Sequence, residues 1–452
     1  MKNQLLILAL LTLLTVLPAF AQDYTPRYEE FVLANGLNVV LHRDTTQPII
    51  SVNMTYRAGS SLDPEEQTGL ANLAAEALLV GTKNVPREEL LRLRHDENVS
   101  ISAQTNVDWI SIASVFPMTR LEAAVMIEAD RMETAVEYFT ERHLDAMIRN
   151  LNASHARRER EPLGTFTQQV YEELYAPGHP YRHIIVGRPE HVKNITIEAV
   201  RHFSRQYHVP SNAYLTIGGN FDPEMAKAYL DKYFRNISPG QSVGWANIPD
   251  DFTPIGQGIS LREDRVRYQQ LHLVFPTARS GHPDEAALLL LSKILIGSEH
   301  SLLYSNLVKT NAMIHSVEAS QTSSELAGTF WITVTTKIDT RLSSIYQQVH
   351  RILQSIAEKG VTQDELTAAR NQAAMHLYES IETLHGFGGR CDVLNLGNLY
   401  GDSPDHKFSL LKDQQSVNST AIRRVTTQYL SDNNQVVFSI VPIGKSDFAF
   451  TE

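Results

Sequence analysis

Few residues in this sequence have types and spacing suited to chemistry. His179 and His183, in "APGHPYRHIIVG", stand four apart, the separation that puts two metal ligands on one helical face. Pro180 lies between them and argues for a turn, because its ring removes a hydrogen bond that a helix needs. His143 and His155 share one predicted helix but are separated by 12 residues, more than three turns. Neither pair brings a third ligand, and a catalytic zinc needs three plus an open position for water. Asn72 and Glu76, in "TGLANLAAEALLVGT", are also four apart. An amide and a carboxylate so placed form either an exposed polar stripe or an interior hydrogen-bonded pair. "HGFGGRCDVLNLGNLYGDSPD", from His385 to Asp405, holds Gly386, Gly388 and Gly389 as a phosphate loop would, but no Lys-Ser/Thr pair follows. The other reading of that stretch is a helix-to-helix turn. The single cysteine, Cys391, has no partner for an internal disulfide and no base beside it, so it reads as a small core residue.

Any site built from these residues depends on the elements that carry them, and those elements occur twice. "EALLVGT" predicts a helix ending at Gly81, and "SKILIGS" one ending at Gly297, 216 residues later. Gln104, in the alternating "SAQTNVDWISI", matches Gln321 in "ASQTSSELAGTFWITV" at an offset of 217. Thr140 and Thr362 each open a long predicted helix, and Tyr207 and Tyr429 each precede a strand; both offsets are 222. Four landmarks in one order describe a duplicated domain, not a short-period solenoid. Within each copy strands and helices interleave. Asn35-Gly36, between "FVLA" and "LNVVLHRD", marks a hairpin. "IISVNMTYRAGS" alternates as a half-buried strand, "EEQTGLANLAAEALLVGT" reads as helix stopped by Gly81, and "RLEAAVMIEADRM" has helical periodicity. The expected class is α+β: two homologous domains, each a sheet with helices on one face.

The bulk properties fit that plan. The chain of 452 residues suits two domains, and 42% hydrophobic residues suffice for two cores. A net charge of −11 argues against nucleic-acid binding. "MKNQLLILALLTLLTVLPAFAQ" has Lys2, an apolar run from Leu5 to Leu17, and Ala19 and Ala21, the pattern of a secretory signal cleaved after Ala21. The alternative, an uncleaved anchor, would require a longer apolar run. The expected division is a signal peptide over 1–21, a first domain over 22–238, a Pro- and Gly-rich linker over 239–258, and a second domain over 259–452.

The motifs then carry a resemblance. "TGLANLAAEALLVGT" resembles the helix of the insulinase or pitrilysin family, which includes the mitochondrial processing peptidases and commonly reads like "TGLAHLLEHMLFKGT" there. In that family H-x-x-E-H supplies two zinc ligands and the general base, and a distal Glu supplies the third ligand. Laid on this chain without a gap, the first His falls on Asn72, the base on Ala75 and the second His on Glu76. The distal Glu falls on Ala153, in "LNASHARRERE". "GHPYRHIIVG" continues the resemblance. The positions that should hold zinc therefore lack its chemistry, and the resemblance implies a chain with no metal or other cofactor of its own and no proteolysis alone.

It also implies paired domains forming a half-shell, with two half-shells enclosing a peptide chamber, and in some members a zinc-bearing subunit joined to a silent one. By that resemblance this chain is expected to be the silent subunit of an exported heterodimer, in the periplasm or, as the alternative, released to the medium. Its partners would be a zinc-bearing subunit of similar size and a peptide substrate, and the zinc would be held by the partner subunit. The alternative is a peptide-binding or assembly scaffold with no catalytic partner. "GFGGRCDVLN" is similar to a stretch of exported family members, and an Arg and a Tyr of the second half there reach substrate and oxyanion. Arg390 matches the Arg; the Tyr position is Gly397, with Tyr400 three residues further on. "SISAQTNVDW" is similar to a family strand that pairs with peptide backbone, which singles out Ser102, Ala103 and Thr105 as substrate-binding, or marks a structural strand only.

Overall fold

The computed structural model describes residues 25–241 and 258–451; the signal-peptide and most of the linker assignments fall outside them. The first half runs β1 (Glu29–Val32), β2 (Asn38–Arg43), β3 (Ile49–Tyr56), α1 (Leu70–Ala77), α2 (Arg87–Asp96), β4 (Ser100–Thr105) and β5 (Ile110–Pro117). It continues with α3 (Leu121–Tyr138), α4 (Glu141–Arg160), α5 (Phe166–Leu174), α6 (Pro189–Val192), α7 (Ile197–Tyr207), β6 (Ala213–Gly219) and α8 (Pro223–Phe234). The second half runs β7 (Gly258–Asp264), β8 (Gln269–Thr277), α9 (Glu285–Leu295), β9 (Ile314–Ser323), β10 (Gly328–Thr336) and α10 (Leu342–Lys359). It ends with α11 (Gln363–Glu382), α12 (Arg390–Gly401), α13 (His406–Ser416), α14 (Ser419–Tyr429) and β11 (Val436–Pro442).

The duplication holds strand by strand. The first sheet has the order β1-β2-β6-β3-β5-β4 and the second β7-β11-β8-β10-β9. Without β1 the two orders superimpose, and among the described residues the one parallel pair in each is the equivalent one, β2 with β6 and β7 with β11. β1 is the addition made by the Asn35-Gly36 hairpin, with Gly36 at φ +87°. The landmark threonines cap equivalent helices: Thr140 and Thr362 each form a reciprocal capping box, with His143 and Glu365 respectively.

The expected single helical layer is incomplete. Each sheet does bury one face under its own helices, around Val52, Ile112 and Leu215 in the first half and Leu273, Ile332 and Val437 in the second. The other face of each sheet is covered by one helix from the opposite half: α12 lies on β6, β3 and β2, and α5 lies on β11. These two helices are themselves equivalents, each following a capped 20-residue helix. This exchange corrects the reading of "IISVNMTY" as half-buried, since β3 is covered on both faces from Ile50 to Tyr56.

The two exchanged contacts differ in chemistry. α5 brings Phe166, Val170 and Leu174 against Val274, Val436, Phe438 and Ile440, an apolar seam. α12 meets a face of small and polar residues and hydrogen-bonds to it. Asn395 donates to the Asn53 carbonyl at 2.8 Å and the Tyr214 carbonyl at 3.1 Å, and accepts from Thr216 Oγ1 at 2.6 Å. Asn53 Nδ2 donates to Asp392 Oδ1 at 2.8 Å, while Gly388 N caps Asp392 Oδ2 at 2.8 Å. A Cβ on Gly218 would stand 2.4 Å from Cys391 Sγ, so the glycine is what lets α12 approach this closely. Cys391 is fully buried and its thiol is pushed up to about 12 by that burial, which keeps it an inert packing group.

Candidate functional site

The degenerate motif sits on α1, which is shorter than its periodicity suggested. Gly69, at φ +96°, opens it, and Asp63 caps it by accepting from Gly69 N and Ala71 N, both at 2.7 Å. Burial raises the Asp63 carboxyl to about 8 against the pull of those two N–H groups. The helix ends at Ala77; Leu78, Leu79 and Val80 form turns before Gly81, so Gly81 ends the segment and not the helix. On this helix Asn72 is half-buried, Ala75 is buried and Glu76 is exposed. Ala153 is exposed on α4, which packs on α1. The surrounding protein raises the Glu76 carboxyl above its ordinary value through lost solvation, although the side chain still reaches solvent. Of the four positions only Glu76 offers a zinc donor, and a single monodentate carboxylate does not make a zinc site. Among the described residues no group of three or more His, Cys, Asp and Glu side chains is arranged to hold a metal ion.

The spaced histidines are taken up structurally. His179 and His183 lie in a loop. His179 stacks on Tyr175 at 4.6 Å between ring centroids, accepts from Tyr181 N at 3.0 Å, and is pushed down to about 4 by burial. His183 Nδ1 pairs with the Ile184 carbonyl at 3.2 Å. His143 belongs to the α4 capping box, and His155 is buried on the same helix.

Arg390 and Tyr400 both bond carboxylates of the first half in this structure. Arg390 opens α12, and its Nη1 donates to Asp44 Oδ2 at 2.6 Å and to His42 Nε2 at 3.0 Å, while Nε holds the Ile381 carbonyl at 2.9 Å. Tyr400 OH donates to Asp108 Oδ2 at 2.9 Å. Presenting either group to a substrate would first break a bond between the halves. Asp108 is fully buried and also accepts from Tyr181 OH and, at 2.9 Å, from Glu325 N. Burial raises its carboxyl, and those donors pull it back. The Gly386–Gly389 stretch is the turn between α11 and α12, with Gly386 and Gly388 both at φ +79°.

The His42 contact gives a pH expectation. Nδ1 lies 2.7 Å from the Arg27 carbonyl, which can only accept, so Nδ1 carries the proton and Nε2 is the acceptor for Arg390. Burial and the Arg390 charge lower the His42 pKa below its ordinary 6.5, with the Arg27 carbonyl and Asp44 opposing them. Asp44, held down at about 2 by Thr46 and Arg390 against its burial, stays ionised throughout. A histidine with a depressed folded-state pKa contributes stability above its unfolded pKa and loses it as pH falls below that value. The wild-type thermal midpoint should therefore drop between about pH 7.5 and pH 5, and His42→Asn should drop less. Equal drops in the two proteins would refute the assignment.

Ser102, Ala103 and Thr105 lie on β4, the edge strand of the first sheet, which among the described residues pairs only with β5. Ser102 is exposed and Ala103 and Thr105 are half-buried. Along this edge the Ile101 carbonyl already accepts from Arg94 Nη2 at 2.7 Å, and a sheet edge otherwise offers backbone N–H and C=O groups to an extended chain.

Comparison with known proteins fits this arrangement. The family model described as Insulinase (Peptidase family M16) matches residues 38–185, and that described as Peptidase M16 inactive domain matches residues 194–373. The chain belongs to the insulinase family. Within it, the zinc protease PqqE of Helicobacter pylori is 21% identical over 434 residues, covering 93% of this chain and 94% of that protein. Mitochondrial-processing peptidase subunit beta of Bos taurus is 22% identical over 430 residues, covering 91% and 84%. The crystal structure of a protease from Helicobacter pylori superimposes with a TM-score of 0.81 at 18% identity, covering 92% of this chain and all of that one. This insulinase-family member keeps the two-domain fold and lacks the zinc-binding set, which makes it an inactive member of a family of zinc proteases. Sequence reading passed over Asp108, Asp392 and Asn395 as members of motifs. The available signal was Asp392 and Asn395 inside the otherwise apolar α12 pattern; Asp108 lies in the β4–β5 connection, where a polar residue carries no such signal.

Proposed function

We propose that this chain is the non-catalytic subunit of an exported, periplasmic heterodimeric zinc peptidase. It closes the peptide chamber and offers the β4 edge, at Ser102, Ala103 and Thr105, to the substrate backbone, while the partner subunit holds the zinc and performs the hydrolysis. The observation that carries this reading is a complete two-domain family fold whose motif positions are Asn72, Ala75, Glu76 and Ala153. Water activation at zinc needs three ligands and a carboxylate base, and these four residues supply at most one donor. A relative named as a subunit of a processing peptidase supports the paired arrangement. Strand addition at an open edge suits a subunit that handles varied peptides, because main-chain bonds do not depend on side-chain identity.

The test combines the purified chain with a family member of similar size that retains H-x-x-E-H, and follows cleavage of a quenched peptide. Cleavage is expected from the mixture and from neither protein alone, with about one zinc per partner chain. Full activity from the partner alone, unchanged by adding this chain, would refute the proposal.

A further inference from the structure

We propose that a pocket between the C-terminal end of α4, the start of α5 and the loop before α6 binds a small α-amino acid as its zwitterion. The pocket has a volume of about 170 Å³. That is below the range of roughly 300–1,000 Å³ typical of drug-sized ligands, so it suits a molecule of few atoms.

Most polar groups in its wall are already engaged. Arg188 pairs with Glu172 at 2.6 Å, and Gln168 bonds Glu172 and accepts from Ile184 N at 3.2 Å. Thr165 Oγ1 accepts from Arg262 at 3.0 Å. Four groups are left over. Arg158 is half-buried in the wall and makes no side-chain hydrogen bond or salt bridge among the described residues. Glu159 and Glu190 are exposed at the rim and likewise uncommitted. His155 is 7% exposed, and its Nε2 is buried without a protein partner. Burial lowers the His155 pKa below its ordinary value, so the neutral ring keeps one lone pair, and a proton on Nδ1 would leave Nε2 as the acceptor. His155, Arg158, Glu159 and Glu190 all line this one pocket.

One fixed cation beside two carboxylates and an imidazole lone pair is the complement of a molecule bearing a carboxylate and an ammonium a few bonds apart. Arg158 would take the carboxylate through a forked pair of N–H donors. The ammonium would donate to His155 Nε2 and to the rim carboxylates. A simple anion satisfies only Arg158 and is repelled by Glu159 and Glu190, and a simple amine leaves Arg158 unpaired. The pocket uses none of the α1 motif positions or the β4 edge, so this inference holds or fails apart from the heterodimer reading.

Isothermal titration calorimetry on the full purified chain, with L-alanine, acetate, methylamine and inorganic phosphate as separate probes, tests it. L-Alanine should bind at one site per chain, with acetate, methylamine and phosphate each at least about tenfold weaker. Arg158→Gln, a change at a half-exposed position, should abolish L-alanine binding, and Glu159→Gln should weaken it severalfold. Absence of L-alanine binding to the folded wild type would overturn the proposal. So would binding that survives Arg158→Gln, or acetate or phosphate binding as tightly as alanine.

Discussion

Asp108→Ala is expected to lower the unfolding free energy by about 3–6 kcal/mol, and to split one cooperative transition into two. The carboxylate accepts from Tyr181 and Glu325 N as well as from Tyr400, and Tyr181 OH in turn accepts from Leu326 N at 3.0 Å. Asp108 and Tyr181 belong to the first half, and Tyr400, Glu325 and Leu326 to the second. Removing the acceptor strands one buried donor, Tyr181 OH, and two partly buried ones, Glu325 N and Tyr400 OH, with losses of about 1–3 kcal/mol for a buried unsatisfied group that do not simply add. A domain stabilised by about 5–15 kcal/mol overall is sensitive to that loss. Asp108→Asn should cost less, because its amide keeps one acceptor oxygen and a tyrosine hydroxyl can rotate to accept from the new N–H. Urea unfolding followed by both fluorescence and circular dichroism reads both effects. A loss below about 0.5 kcal/mol with coincident transitions would show that this cluster does not join the halves.

The same cluster shows what the sequence could reveal. Local signals were sufficient wherever the structure is locally determined. Asn35-Gly36 made its hairpin, Thr140 and Thr362 capped their helices, and Tyr207 and Tyr429 ended helices ahead of β6 and β11. The resemblance located the motif on α1, and the missing donor atoms at Asn72, Ala75, Glu76 and Ala153 needed only residue identities.

What escaped was the covering of each sheet's second face. Alternation in β3 reports which residues meet its own helices, but α12 covers the opposite face from more than 300 residues away, as the Asn395 contact to the Asn53 carbonyl shows. For the same reason Arg390 and Tyr400 looked available to a substrate. Their partners, Asp44 and Asp108, lie 346 and 292 residues distant, and nothing in "GFGGRCDVLN" names them. Polar side chains in an otherwise apolar stretch are ambiguous between a ligand site and a buried interface, and only the tertiary partner decides.

Arg131→Met is expected to cost about 3–5 kcal/mol, because it leaves a carboxylate uncompensated in the first core. Arg131 and Glu128 are paired on α3 with side chains 1% and 0% exposed. Helical periodicity in "RLEAAVMIEADRM" does not single them out, since charges three apart on a helix usually form a solvated pair worth a few tenths of a kcal/mol. Here the pair lies beneath the sheet, where Glu128 Oε1 also accepts from Ser114 Oγ of β5 at 2.8 Å. Met matches the length of the arginine stem but cannot answer the charge. The Glu128 carboxylate then stands in the core without its partner charge. Glu128→Gln in the Arg131→Met background should recover much of the loss, because the penalty arises from the unpaired charge and not from lost packing. Among the described residues β5 is the only strand pairing β4, so a loosened Ser114 contact should also reduce peptide cleavage in the mixed-subunit assay at temperatures where the variant is still folded. If Arg131→Met were within about 0.5 kcal/mol of wild type, the ion pair would not be what fixes α3 against β5.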